Sequence, residues 1–221
     1  MNRQDKVSDN TSAKGRRDRK TSDKRREIVR RGVEIFTEKG FHNTAVDEVV
    51  HAAGVPKGSF TYYFGSKDTY AIEVIEMYAE YFNRKLEKIL TDSTLTPLQR
   101  IRAFADDAAL GMQRYHFRRG CLIGNLGQEV GALNERFRVA ILTALDSWQK
   151  CIESCLKEAV DCGELHPSVD PALEARRFWY SWEGAVLGAK LERSRAPLDA
   201  LIEAFIASLT KADREQKREN R

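Results

Sequence analysis

Apolar residues recur at helical spacing along almost the whole chain, and no stretch of useful length alternates in the manner of a strand. The clearest pattern lies in residues 44–67, TAVDEVVHAAGVPKGSFTYYFGSK. Val46, Val49, Val50 and Ala53 share one helical face there, and Gly54 ends the segment where a left-handed residue costs little. Thr44, with Asp47 three residues later, has capping-box spacing. Pro56 reopens a helix at its first turn, where a missing N–H is no loss. Phe60 and Phe64, at i and i+4, face inward. Lys57, Gly58, Ser59, Thr61, Tyr62 and Tyr63 are then left as short, polar or aromatic groups that reach phosphates and base edges. The pattern predicts a helix-turn-helix over about 46–65.

A first helix is predicted over 23–39, with Ile28, Val33, Ile35 and Phe36 on its buried face and Gly40 as its stop; Phe41 should pack beneath the helix-turn-helix. Gly65 or Ser66 caps a long helix over 67–90. Further helices are expected over 97–117, 134–162, 171–193 and 197–211, with a glycine-rich break and restart at 118–133. The fold class is therefore all-α: an N-terminal three-helix DNA-binding domain over 22–69 and a C-terminal helical ligand-binding and dimerisation domain over 70–213. Residues 1–21 read as a disordered basic tail and 214–221 as a frayed one. Because the long helix passes between the domains without a flexible linker, it is expected to act as a lever.

Composition narrows the setting. A chain of 221 residues with 42% hydrophobic and 32% charged residues suits two modest globular domains. No run of eighteen apolar residues is present, so neither a membrane span nor a membrane partner is expected. A polar, basic start without an apolar core segment argues against a secretory signal, and four cysteines without framework spacing fit a reducing cytoplasm. The net charge of +4 is unevenly spread: residues 1–70 hold 15 basic against 10 acidic side chains, and the remainder 22 against 23. The basic excess accompanies the DNA-reading segment, as attraction to phosphates requires. The GRRDRK run at 15–20 reads equally as a DNA-following arm and as a solvated tail.

The basic tail, the three-helix unit, the string GVPKGSFTYYFGSKDTY and the helical remainder together resemble the TetR family of bacterial transcriptional regulators. The stretch RRGCLIGNLGQEVGAL, with WEGAVLGAKLE later, is similar to a subgroup that includes acrylate-utilisation and electrophile-responsive repressors. The resemblance implies DNA contacts from Thr44 at the phosphate-facing helix start, from Lys57, Gly58, Ser59, Thr61, Tyr62 and Tyr63, and from Lys67 at the next helix start. Family members often carry Thr and Arg where this chain has Ala45 and Asp47. An Asp donates nothing to guanine or phosphate, so base reading should lean on Lys57 and Thr61. The resemblance also implies a homodimer through the last two helices, with Leu187, Leu191, Leu198, Leu201, Ile202, Phe205, Ile206 and Leu209 available for the interface. Its two-fold symmetry implies a palindromic operator on double-stranded DNA, with recognition helices ~34–36 Å apart or somewhat more.

A small-molecule effector is expected between helices of the second domain. Cys121 follows Arg118 and Arg119 in the glycine-rich break, where cationic neighbours favour a thiolate. In the electrophile-responsive subgroup the matching cysteine is the sensing group, and Lys190 matches a lysine of the later motif, which places it near Cys121. The alternative is a small buried apolar cysteine. Tyr115, Asn125, Gln128, Trp179, Trp182 and Glu183 are further pocket candidates. Cys151, Cys155, Cys162 and His166 follow no usual zinc spacing, so neither metal nor cofactor is expected. Two other functions stay open at this point: a thiol enzyme using Cys121, with His116 as its base, and an architectural DNA-binding protein without a ligand.

Overall fold

The computed structural model describes the backbone of residues 5–219 and the side chains of 21–210. Every regular element among them is a helix: α1 (Asp5–Lys39), α2 (Val46–Ala52), α3 (Lys57–Phe64), α4 (Lys67–Leu90), α5 (Pro97–Arg114), α6 (Leu122–Glu129), α7 (Glu135–Asp161), α8 (Pro171–Glu192) and α9 (Ala196–Glu219). Two tail readings are corrected. α1 runs back to Asp5 through most of the segment read as disordered, which holds one glycine and no proline. A helix nucleated by the anchored turns around Ile28 and Val29 therefore adds residues without meeting a breaker. α9 likewise continues to Glu219, through residues read as frayed.

The chain divides into two compact units, one ending at Met77 and the other starting at Tyr78. That boundary falls inside α4 rather than at 69, because an unbroken helix offers no linker at which to divide. In the first unit α2 packs on α1 and α3 on α2. Tyr70, from the first turn of α4, is the hub. Its ring meets Phe36, Phe60 and Phe64 at centroid distances of 5.9, 5.0 and 4.9 Å. Its hydroxyl donates to the Ile28 carbonyl at 2.9 Å. This approach requires Gly32, since a Cβ there would fall 2.1 Å from the Tyr70 hydroxyl oxygen.

In the second unit α7 packs on α8, α8 on α9, α5 on both α7 and α9, and α6 on α7. Phe82, Phe104, Trp148, Phe178, Trp179 and Trp182 form a continuous aromatic core, with Trp148 and Trp179 at 5.2 Å. Trp179 and Trp182, expected as a pocket wall, are thus fully packed in that core. Arg100 is buried as well; it bonds Glu158 at 2.6 Å and the carbonyls of Leu90, Asp92 and Leu95, which fixes the turn between α4 and α5. The thiol of Cys155 donates to the Pro97 carbonyl at 3.3 Å, a packing role.

Candidate DNA interface and thiol site

α3 buries Phe60 and Phe64 against Tyr70 and turns the rest of its surface outward. Lys57, Gly58, Thr61 and Tyr62 are exposed, Ser59 and Tyr63 half-buried. Tyr62, 77% exposed, stacks edge-on with Tyr63 at 5.0 Å. A large aromatic ring left in solvent on an otherwise polar helix face is suited to contact with a partner. Lys57 meets the carboxylate of Asp47 at 2.8 Å across the turn, and both side chains are largely exposed. Asp47 therefore does more than fail to donate: it pairs with the one lysine of α3.

Thr44 is corrected. α2 begins at Val46 with Ala45 in the capping position and no side-chain cap. Thr44 is only 1% exposed, and its hydroxyl donates to the Gly40 carbonyl at 2.7 Å. The glycine stop of α1, with φ of 79°, turns the chain back so closely that the Thr44 hydroxyl finds a carbonyl before it finds the N-terminus of α2. Lys67 is half-buried; its ammonium donates to the Phe41 carbonyl at 2.6 Å and sits 4.3 Å from the centre of that ring. It ties the start of α4 to the loop ahead of α2.

The second candidate site centres on Cys121, in the capping position of α6. Its sulfur accepts the Gly124 N–H at 3.5 Å, and the side chain is 7% exposed. The Tyr78 phenol and the Glu183 carboxyl are its titratable neighbours. Burial, then the charge of Glu183, push the thiol well above its ordinary value. The expectation of a resting thiolate is thus overturned. Arg119 lies over the exposed ring of Tyr115 at 4.1 Å, and Lys190 donates to the Asn125 side chain at 3.3 Å, so the cations serve other partners while a carboxylate faces the sulfur. Lys190 does approach the segment as expected: a Cβ on Gly120 would fall 2.8 Å from its Cδ. Gln128 and Tyr115 are exposed.

Among the described residues, three buried side-chain polar atoms have no hydrogen-bond partner: the indole nitrogens of Trp148 and Trp179 and Oε1 of Glu183. Tyr78, a neighbour of the thiol, also packs against one of these indoles, its ring 6.1 Å from that of Trp148. Helical periodicity alone does not single out Tyr78. A usable signal was the pair Gly120 and Gly124 around Cys121, because bare backbone on both sides of the thiol marks a close approach. Just ahead of the thiol, His116 and Phe117 are both left-handed, with φ of 52° and 57°. That strained turn ends α5 and fixes the direction in which Cys121 enters.

The expected dimer surface is also redistributed. Leu198, Ile202, Phe205 and Leu209 of α9 are buried in this chain's own core. Of the other side chains expected there, Leu201 and Ile206 are half-buried, while Leu187 is exposed and Leu191 is 76% exposed; along α8, Leu173, Tyr180 and Leu187 follow at heptad spacing. No helix among the described residues is long and apolar enough to cross a membrane.

Comparison with known proteins places both units. Residues 28–74 match the family model described as bacterial regulatory proteins, tetR family, and residues 97–205 match that of the tetracyclin repressor-like C-terminal domain. The chain is 47% identical over 178 residues to the transcriptional regulator AcuR of Cereibacter sphaeroides, covering 80% of this chain and 81% of that one. It is 32% identical over 187 residues to the transcriptional repressor DhaR of a Mycobacterium species, covering 84% and 91%. Among solved structures, the regulatory protein TetR from Rhodobacter sphaeroides superposes with a TM-score of 0.79 at 46% identity, over 82% of this chain and 96% of that one.

Proposed function

The chain belongs to the TetR family of transcriptional regulators, and from that premise we propose that it is a cytoplasmic homodimeric repressor released from a palindromic operator by a small electrophile. The observation that carries the DNA-binding half is the outward face of α3, polar and aromatic above a core that holds the helix rigid. Lys57, Thr61 and Tyr62 carry recognition, with Gly58, Ser59 and Tyr63 beside them; Lys67 and Thr44 hold the loop and helix ends in place. The exposed stripe of α8 pairs with its own copy across the two-fold axis. Regulation, not turnover, is its role: the chain is a regulator and not an enzyme.

The Lys57–Asp47 pair yields a specific expectation. Lys57→Ala removes one phosphate-directed charge, so operator affinity should fall about tenfold at low salt and the slope of log affinity against log salt should flatten by about one. Asp47→Ala frees the lysine and should tighten binding. Filter binding across a salt series checks both; a Lys57→Ala variant with an unchanged slope would place Lys57 off the phosphate backbone.

The effector reading rests on a buried thiol beside a carboxyl whose Oε1 lacks a partner, a setting suited to a small polar guest. An α,β-unsaturated acid or aldehyde adds to Cys121, and the enlarged side chain shifts Tyr78 on α4. The modified state then holds operator less well, so release is a difference in affinity between two states. Wild-type protein should retard DNA from its own promoter region and lose it on treatment with acrolein. Cys121→Ser should retard the same DNA and keep at least ten times more of it bound under that treatment. Equal release from the serine variant would remove Cys121 from the mechanism, and no retardation of adjacent intergenic DNA at low salt would remove the regulator reading.

A further inference from the structure

Glu183 is a buried carboxyl that the regulator reading leaves without a task. Its Oε1 has no hydrogen-bond partner. Its other oxygen lies against bare backbone: a Cβ on Gly124 would fall 1.9 Å from Oε2. The N–H of that same Gly124 points at the Cys121 sulfur, 3.5 Å away. Carboxyl and thiol therefore meet over one glycine, and any side chain at position 124 would separate them. A buried carboxylate beside a sulfur makes no structural sense as a stabiliser, since each disfavours the charged form of the other.

We propose that Glu183 is the base that takes the Cys121 proton as the sulfur adds to an α,β-unsaturated carbonyl compound. The proposal rests on the reading above that Cys121 is the reacting group. As Sγ bonds to the β-carbon, the S–H bond breaks and its proton passes to the Glu183 carboxylate. The π electrons of the C=C bond move toward the carbonyl and form an enolate. The proton then returns from Glu183 to the α-carbon. H and S have added across the double bond, the carboxylate is regenerated, and no oxidant or leaving group takes part.

Three observations support this route over a preformed thiolate. The thiol is pushed well up by burial and by Glu183 itself, so the free thiolate is scarce at neutral pH and the proton must leave as the bond forms. Burial raises the Glu183 carboxyl to about 7, which suits a base working near neutrality. The surrounding groups do not substitute for it: Tyr78 faces the thiol from α4 with its phenol pushed well above its ordinary value, chiefly by burial. Lys190, further along α8, directs its ammonium at Asn125. Arg119, on the segment before Cys121, lies over the Tyr115 ring.

The test is the rate of Cys121 alkylation by acrolein in the full-length protein, followed by mass spectrometry of the modified peptide between about pH 5.5 and 9. Wild type should show a rate that rises through an inflection near pH 7 and then levels. Glu183→Gln should react about 100-fold more slowly near pH 7.5 and lose the inflection, rising instead tenfold per pH unit as thiolate forms. Glu183→Asp should keep the inflection at a reduced rate, and it decides the matter where the glutamine variant fails to retard operator DNA. Removing the charge alone would ease thiolate formation, so a glutamine variant as fast as wild type, or faster, overturns the proposal while leaving Cys121 as sensor. A wild-type Cys121 that acrolein leaves unmodified overturns the sensing reading, and the proposal with it.

Discussion

Gly32→Ala is expected to cost the first unit about 2–4 kcal/mol and to abolish most operator binding. An added Cβ would stand 2.1 Å from the Tyr70 hydroxyl oxygen and 2.6 Å from Cγ2 of Val74. The tyrosine has no free direction in which to yield, because Phe36, Phe60 and Phe64 surround its ring. Moving it breaks the bond to the Ile28 carbonyl and leaves the buried Tyr70 hydroxyl without a partner, at roughly 1–3 kcal/mol. Overpacking adds ~1–3 kcal/mol, and the gain in helix propensity returns only about 1. Phe60 and Phe64 are the inner face of α3, so displacement of Tyr70 tilts the surface that reads DNA. All three tryptophans, Trp148, Trp179 and Trp182, lie in the second unit. Tryptophan fluorescence should therefore report a nearly unchanged transition while helical circular dichroism loses part of its signal earlier. Adding Tyr70→Phe to Gly32→Ala should restore part of the loss by removing the clashing oxygen. A Gly32→Ala variant that melts and binds as wild type would show that the α1–α4 contact is slack.

Much of this was legible in the chain because helices announce themselves locally. The stops at Gly40 and Gly54, the helices beginning near residues 97, 134 and 171, and the inward pair Phe60 and Phe64 all follow from short-range rules. Thr44 was misread for the same local reason: its spacing to Asp47 satisfies a capping box, yet a carbonyl brought round by Gly40 captures the hydroxyl first. For Cys121 the chain offered both a thiolate beside cations and a small buried cysteine, and its burial fits the second. Arg118 and Arg119 are adjacent in the chain, but after burial the charge that raises the thiol comes from α8, sixty-two residues on. Nothing in a linear pattern tells which carboxylate of a distant helix will turn inward. α9 shows the remaining ambiguity: an amphipathic helix advertises an apolar face without saying whether its own chain or a second copy covers it.

Glu183→Gln should stabilise the protein at pH 8 by about 2–3 kcal/mol and by almost nothing near pH 4.5. The folded carboxyl is raised to about 7 from an ordinary 4.5, chiefly by burial. Below about 4.5 both folded and unfolded chains carry the proton, and the residue contributes no pH dependence. Between 4.5 and 7 the unfolded chain has released the proton and the folded one still holds it, so wild-type stability falls as pH rises. Above 7 both are ionised, and the cost stays at its full value of about 3 kcal/mol. A glutamine amide does not titrate and fills nearly the same volume, while its unpaired N–H groups cost back a fraction of the gain. Urea unfolding of wild type and variant at pH 4.5, 6 and 8 checks this, since the difference must open with pH rather than shift uniformly. A constant difference would mean that the carboxyl is solvated in the native state. The expected pattern, by contrast, describes a residue retained at a cost to folding and positioned where only chemistry at Cys121 uses its charge.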